Sequence, residues 1–251
     1  MAAKAKTAVL VMAGGKGLRA GTAGAASMAV LPKQYRCIAG QSVISRSMAA
    51  FMGHDVIDCV QPVIASGDQL RFSSVMAELM AHARAGIVAL PVPGGATRQA
   101  SVLAGLEALA ARSHHGMVMV HDAARPFVDQ ALISRAIAAG RASPATIPVM
   151  AISDTVKTVS EEGLITGTLP RIGLATVQTP QVFDFDMLLG AHRRAAEAGM
   201  AGFTDDASVM EWLGIAVSSF AGDAANVKLT WPEDFVQAEA RMSQPQSQPQ
   251  S

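Results

Sequence analysis

Three cations set among glycines, Lys16, Arg19 and Lys33, are the residues whose types and spacing first suggest chemistry. They fall in VLVMAGGKGLRAGTAGAASMAVLPKQ, residues 9–34, where Gly14, Gly15 and Gly17 leave backbone N–H groups open to close approach by a ligand. Fixed cations beside open amides make a cradle for a polyanion, so the stretch reads as a phosphate site. The surrounding charge agrees. Met1 to His54 holds no Asp or Glu but carries Lys4, Lys6, Lys16, Arg19, Lys33, Arg36 and Arg46, while the whole chain balances 20 basic against 20 acidic residues. The neutral total hides a positive N-terminal region that attracts anions.

Two further clusters sit where strands should end. Gly94-Gly95-Ala96-Thr97-Arg98-Gln99-Ala100-Ser101 reads as a second glycine turn that opens a helix, and His121-Asp122-Ala123-Ala124-Arg125-Pro126 follows an apolar run. In a parallel α/β sheet ligands lie at the carboxyl ends of strands, so these turns and the first can face one cavity. Asp122 beside Arg125 is placed where a metal–phosphate complex meets an anionic acceptor. His121 reads as a packed strand-end residue, and His114 and His115 as a solvated loop without metal-ligand spacing. Thr155, Lys157, Arg171, Thr179 and Lys228, taken singly, are surface residues.

Gly15 to Ala20 also satisfy the G-x-G-x-x-A dinucleotide fingerprint, which raises a nicotinamide-dependent oxidoreductase as a rival. The ribose-binding acid expected about twenty residues later is missing, since no acid precedes Asp55. Cations within the turn, followed by Pro32-Lys33-Gln34, suit a triphosphate better.

The elements that must position these groups follow from patterning. Apolar β-branched runs alternate with alanine-rich stretches, which predicts a Rossmann-like, mostly parallel sheet with helices on both faces. Strands are expected at Thr7 to Met12, Val60 to Ala65, Ile87 to Pro91, Met117 to His121, Thr146 to Ala151 and Ala216 to Phe220. Helices are expected at Ser42 to Met52, Gln69 to Ala83, Arg98 to Ala111, Gln130 to Arg141, Phe185 to Ala198, Asp205 to Leu213 and Trp231 to Met242, the last with Thr230 and Glu233 at capping-box spacing. ISDTVKTVSEEGLITGTL, residues 152–169, breaks the alternation and reads as a hairpin. It is either a protruding arm of about residues 152–171 covered by a twin subunit or an edge hairpin of the same sheet.

Residues 1–242 are read as one domain and the Ser/Gln/Pro tail 243–251 as disordered. No apolar run reaches membrane-spanning length, and neither a signal peptide nor a basic, aromatic-rich stripe for nucleic acid is evident. Cys37 and Cys59, without redox or metal spacing, read as core or half-buried thiols of a cytoplasmic protein.

Assembled, the segments AGGKGLR, LPKQY, GGATRQASV, VHDAARPFV, ISDTVKTV, LATVQTPQVF, FTDDASVME and NVKLTWPED resemble the 2-C-methyl-D-erythritol 4-phosphate cytidylyltransferase family over residues 8–241. The resemblance implies transfer of CMP from CTP to that polyol phosphate, with release of pyrophosphate and Mg²⁺ on the nucleotide. It implies that Arg19 and Lys33 stabilise the transition state and that Arg171 and Lys228 position the acceptor phosphate. It adds Asp122, Arg125, Thr155 and Thr179 to the acceptor pocket and Ala13, Gly14, Gly95 and Ser101 to the cytidine site, while the glycine-turn reading supplies Gly15, Gly17 and Arg98. It also implies a homodimer in which the arm carries Thr155 and Arg171 into the partner's site. Metal ligands are left unassigned. The loop from Ala20 to Leu31 is longer than the family usually carries, Ala96 and Ala225 stand where relatives often have acids, and the Gln/Pro tail resembles a linker that joins some relatives to a cyclodiphosphate synthase. A cytidylyltransferase for another polyol phosphate such as ribitol 5-phosphate, a sugar-1-phosphate nucleotidyltransferase using another base, and a non-catalytic nucleotide-binding module are the alternatives.

Overall fold

Strand β1, Lys6–Ala13, is buried along nearly its whole length, as a strand covered on both faces must be. The computed structural model describes residues 6–15 and 31–243. Within them the further strands are β2 (Cys37–Ile38), β3 (Gln41–Ser42), β4 (Cys59–Ile64), β5 (Val92–Pro93), β6 (Gly116–Asp122), β7 (Ala145–Ala151), β8 (Val156–Val159), β9 (Ile165–Leu169), β10 (Ala175–Val177), β11 (Gln181–Asp184) and β12 (Ser218–Ala221). The helices are α1 (Val43–Met52), α2 (Gln69–Leu79), α3 (Arg98–Ala111), α4 (Gln130–Ala142), α5 (Phe185–Glu197), α6 (Asp206–Trp212) and α7 (Pro232–Ser243).

Eight strands form the main sheet in the order β10-β7-β11-β6-β1-β4-β5, with β12 also paired to β7. Pairings β1/β4, β1/β6, β4/β5 and β7/β12 are parallel, while β11 runs antiparallel to β6 and β7. Alternation along β1 divides the core into two layers. Val9, Val11 and Ala13 face α1, α2 and α4, whereas Ala8 and Leu10 face α3, α5 and α6. A smaller cluster of Ile38, Val43, Leu229, Phe235 and Ala238 seats α7 against β2 and α1.

The helices start where side chains satisfy their free N–H groups. Ser42, Thr97, Asp129 and Asp184 each accept from an amide three residues on, and Asp205 forms a capping box with Ser208. At α7 the expected Thr230–Glu233 box gives way to Asp234, whose carboxylate takes the amides of both Thr230 and Trp231.

Several expectations are corrected. Ile87 to Pro91 is not a strand: Ala85–Ile87 is a 3-10 turn, Val88 makes one bridge to Val60, and pairing resumes only at Val92–Pro93. Pro91 and Pro93 have no N–H to give a ladder. Strands β10 and β11, three and four residues long on either side of Gln178-Thr179-Pro180, are too short to show apolar alternation, and they make the sheet mixed. His114 is buried edge-on against Phe185 rather than solvated, and Cys37 is exposed.

The hairpin stands apart. Strands β8 and β9 pair only with each other, turning through Gly163 at φ +83°, and do not extend the main sheet. Val159, Leu164, Ile165 and Leu169 are exposed, and Ile172 just beyond is 94% exposed. The tail beyond Ser243 lies outside the described residues. Leu10→Ala, which empties a fully buried site of β1, is expected to lower unfolding free energy by about 2–5 kcal/mol in a urea titration. A loss under about 1 kcal/mol would contradict the two-layer core.

Candidate active site

The carboxyl ends of β1 and β6 stop side by side, with Met12 in register with Asp122 and the Ala123 amide bonded to the Met12 carbonyl. The loops leaving them frame a cavity of about 510 Å³. On the β1 side its wall is Ala13, Gly14 and Gly15. Gln34, buried in a 3-10 turn over Lys33–Tyr35, donates through Nε2 to the carbonyls of Ala13 (2.8 Å) and Gly15 (3.2 Å) and so pins the glycine turn.

The second glycine turn forms the next wall. A Cβ on Gly94 would lie 2.7 Å from Ser101 Oγ and one on Gly95 2.5 Å from the Ala100 Cβ, so close packing requires glycine at both. Thr97 caps α3 by accepting from the Ala100 amide at 3.0 Å, and Arg98 opens the helix. The first turn of α3 has no acid, which leaves its positive end at the cavity uncompensated by side chains of its own turn.

Each described cation of the site has an internal partner. Arg98 Nη2 lies 2.6 Å from Asp206 Oδ2, and the other Asp206 oxygen lies 3.2 Å from His192 Nε2. Burial opposes the Asp206 charge, but Arg98 and the hydrogen bonds from His192 and Arg98 outweigh it and hold the carboxyl below its ordinary range. Lys33 Nζ donates to the Leu229 carbonyl at 3.0 Å. Lys228 Nζ lies 2.6 Å from Asp122 Oδ2. Burial also opposes the charge on Asp122, yet Lys228, then Arg98 and Arg125, bring its pKa down to about 2.

Behind Asp122 lies a polar layer. The Asp122 amide donates to Thr179 Oγ1 at 3.0 Å, and Arg125 Nη1 donates to the Asn226 carbonyl at 2.8 Å. Asn226 is fully buried and donates to the Thr179 carbonyl at 2.8 Å, tying the segment before β11 to the segment that carries Lys228.

Ala13, Gly14, Gly15, Lys33, Gly95, Arg98, Ser101, Asp122 and Lys228 therefore line one cavity. Arg125 and Thr179 brace its floor from behind instead of lining it. Thr155 and Arg171 are exposed on the arm, where Arg171 hydrogen-bonds the Ser153 carbonyl, and neither lines the cavity of the single chain. Gly17 and Arg19, with most of the loop 20–31, lie outside the described residues. Asn226 and Asp206 are groups that sequence reasoning passed over, and Gln34 was named only as the end of Pro32-Lys33-Gln34, without a supporting role. Their signal was a polar residue inside a motif, and only burial shows that it is structural support.

The model of the family described as 2-C-methyl-D-erythritol 4-phosphate cytidylyltransferase matches residues 7–244. The chain belongs to this family. Among curated relatives it is 50% identical over 243 residues to the bifunctional enzyme IspD/IspF of Nitrobacter winogradskyi, and 50% identical over 237 residues to that of Rhodopseudomonas palustris strain BisB18. These alignments take in 97% and 94% of the chain but 57% and 56% of the relatives, so the chain spans little more than half their length. Among solved structures it is similar to the cytidylyltransferase of Thermus thermophilus, at 31% identity and TM-score 0.72 over 94% of this chain and 97% of that one. A 4-diphosphocytidyl-2C-methyl-D-erythritol synthase gives TM-score 0.77 at 28% identity over 95% and 99%.

The Asp122–Lys228 pair of this family member has a pH signature. A carboxyl held at about 2 when folded and near 3.9 when unfolded contributes stability above roughly pH 4 and loses it as pH falls toward 2. With Lys228 half exposed, the contribution is discounted to about 1 kcal/mol. Asp122→Asn is expected to flatten the pH dependence of unfolding between about pH 5 and 2.5 by that amount, read by denaturant titration. An unchanged slope would mean that the pair contributes nothing to the folded state.

Proposed function

We propose that the chain is a nucleotidyltransferase that moves CMP from CTP to 2-C-methyl-D-erythritol 4-phosphate, giving 4-diphosphocytidyl-2-C-methyl-D-erythritol and pyrophosphate. The observation that carries this reading is one cavity walled by the pinned glycine turn and Lys33 on one side and by Lys228 on Asp122 on the other. A donor and an acceptor, both anionic, then each have a cation.

The acceptor phosphate oxygen is a nucleophile at neutral pH and needs no Ser, Cys or His base. It forms a bond to the α-phosphorus as the bond from that phosphorus to the bridging oxygen breaks and pyrophosphate departs. Lys33 and Arg19 bear the charge that grows on the α-phosphate and the leaving group, and Lys228, with Arg171, holds the acceptor phosphate in line. Ala13, Gly14, Gly15, Gly17, Gly95, Arg98 and Ser101 bind the nucleotide, and Asp122, Arg125, Thr155 and Thr179 shape the acceptor side.

Among the described residues no cluster of three or more His, Cys, Asp or Glu could hold a metal, and Asp122 is the carboxylate among the described cavity-lining residues. That donor set fits Mg²⁺ carried mainly on the nucleotide phosphates: Asp122 would hold it from the protein side, and it would supply charge neutralisation.

The exposed apolar side chains of the arm favour a homodimer in which β8 and β9 lie on the partner and carry Thr155 and Arg171 to its site. Residues 1–242 act as one domain. No helix among the described residues is long and apolar enough to cross a membrane, and a cytoplasmic location is part of the same reading.

Purified protein with Mg²⁺ and each nucleoside triphosphate, given methylerythritol phosphate or ribitol phosphate, is expected to release pyrophosphate only with CTP and the former. Faster release with ribitol phosphate would move the assignment to the other polyol. Lys33→Ala and Arg19→Ala are each expected to cut turnover about a hundredfold or more with thermal stability retained; near-normal rates in both would remove them from the mechanism. Co-expressed Lys33→Ala and Arg171→Ala chains, each inactive alone, are expected to recover about a quarter of normal activity, because half the dimers hold one intact site. No recovery would mean that the arm serves its own subunit.

A further inference from the structure

His121, the penultimate residue of β6, is fully buried and has no place in the chemistry above. Both ring nitrogens are nevertheless engaged. Nε2 lies 3.2 Å from the Arg125 carbonyl, and Nδ1 lies 3.1 Å from Thr179 Oγ1. A carbonyl only accepts, so Nε2 carries the proton and Nδ1 accepts from the Thr179 hydroxyl. That hydroxyl in turn accepts the Asp122 amide at 3.0 Å. The direction of the chain is thereby fixed from Asp122 N–H to Thr179 O–H to His121 and on to the Arg125 carbonyl.

We propose that His121 is a positioning residue for the acceptor side of the site, holding Asp122 and Arg125 in place through the Thr179 hydroxyl and the Arg125 carbonyl. The proposal rests on the acceptor reading given above. Asp122 and Arg125 begin and end one tight turn, since the Arg125 amide donates to the Asp122 carbonyl at 3.0 Å, and His121 fastens both ends of it. Thr179 also changes role. Its single proton is committed to the imidazole, so it braces the Asp122 backbone and donates nothing to a substrate hydroxyl or phosphate.

The bonds on the two ring nitrogens define one tautomer, and packing encloses the ring. The Phe51 ring packs edge-on against it, with centroids 4.9 Å apart.

Two measurements decide the matter. In the unmodified protein, ring-nitrogen NMR is expected to show His121 as the Nε2–H tautomer. An Nδ1–H tautomer would overturn the chain of hydrogen bonds. In steady-state kinetics, His121→Phe and Thr179→Val are each expected to raise KM for methylerythritol phosphate about tenfold with KM for CTP within about threefold, while Thr179→Ser stays near normal. The double variant is expected to match the worse single variant, since each breaks the same chain. Multiplicative effects, or equal rises in both KM values, would overturn the proposal. Absence of any acceptor-dependent release by the unmodified enzyme would instead remove the function on which it rests, and the NMR result would still report on the ring.

Discussion

Parallel pairing of β1 with β6 is the constraint on which the rest of the molecule depends. Seven register pairs run from Lys6–Gly116 to Met12–Asp122, so the two strands end together and release their loops on the same side. The glycine turn, which has little side chain to hold it, is thereby delivered beside Asp122. Burial of both faces of β1 under helices makes this pairing hard to slip, since a shift of one residue would exchange the Val9 and Leu10 layers.

Charge at the site follows from that geometry. Positive groups gathered for a polyanion repel one another, and the protein offsets the repulsion with partners of its own: Asp206 for Arg98, Asp122 for Lys228, and the Leu229 carbonyl for Lys33. The partners differ in burial in a way that suits their tasks. Asp206 is fully buried and fixed to both Arg98 and His192, so Arg98 is held in one place, whereas the Lys228 ammonium is half exposed and able to turn toward a phosphate. Partners of this kind lie on α6, at the end of β6 and at Leu229, far apart in sequence.

The arm obeys a different logic. Its backbone pairs only within β8 and β9, and its apolar side chains find no cover in the single chain. Such a segment gains stability from another surface, which in the dimer proposed above is a second copy. The sheet holds the glycine turn beside Asp122, and the protruding hairpin carries Thr155 and Arg171.

Sequence by itself determined the alternation of strand and helix, the three glycine- or charge-bearing strand ends, and a hairpin over residues 152–169, with its place in or outside the main sheet left open. These are written locally, in hydrophobic period, in glycine and in capping residues. Tertiary structure alone decided that Ile87 to Pro91 leaves the sheet, that β10 and β11 insert antiparallel beside β6 and β7, and that Arg125 and Thr179 stand behind the site. It also decided which polar residues are supports: Gln34, Asn226, Asp206 and His121 look like any other polar residue until burial removes water and obliges each to find a partner. Hydrogen bonds spanning 21 to 108 residues carry no periodic mark, so no reading of neighbours along the chain reveals them.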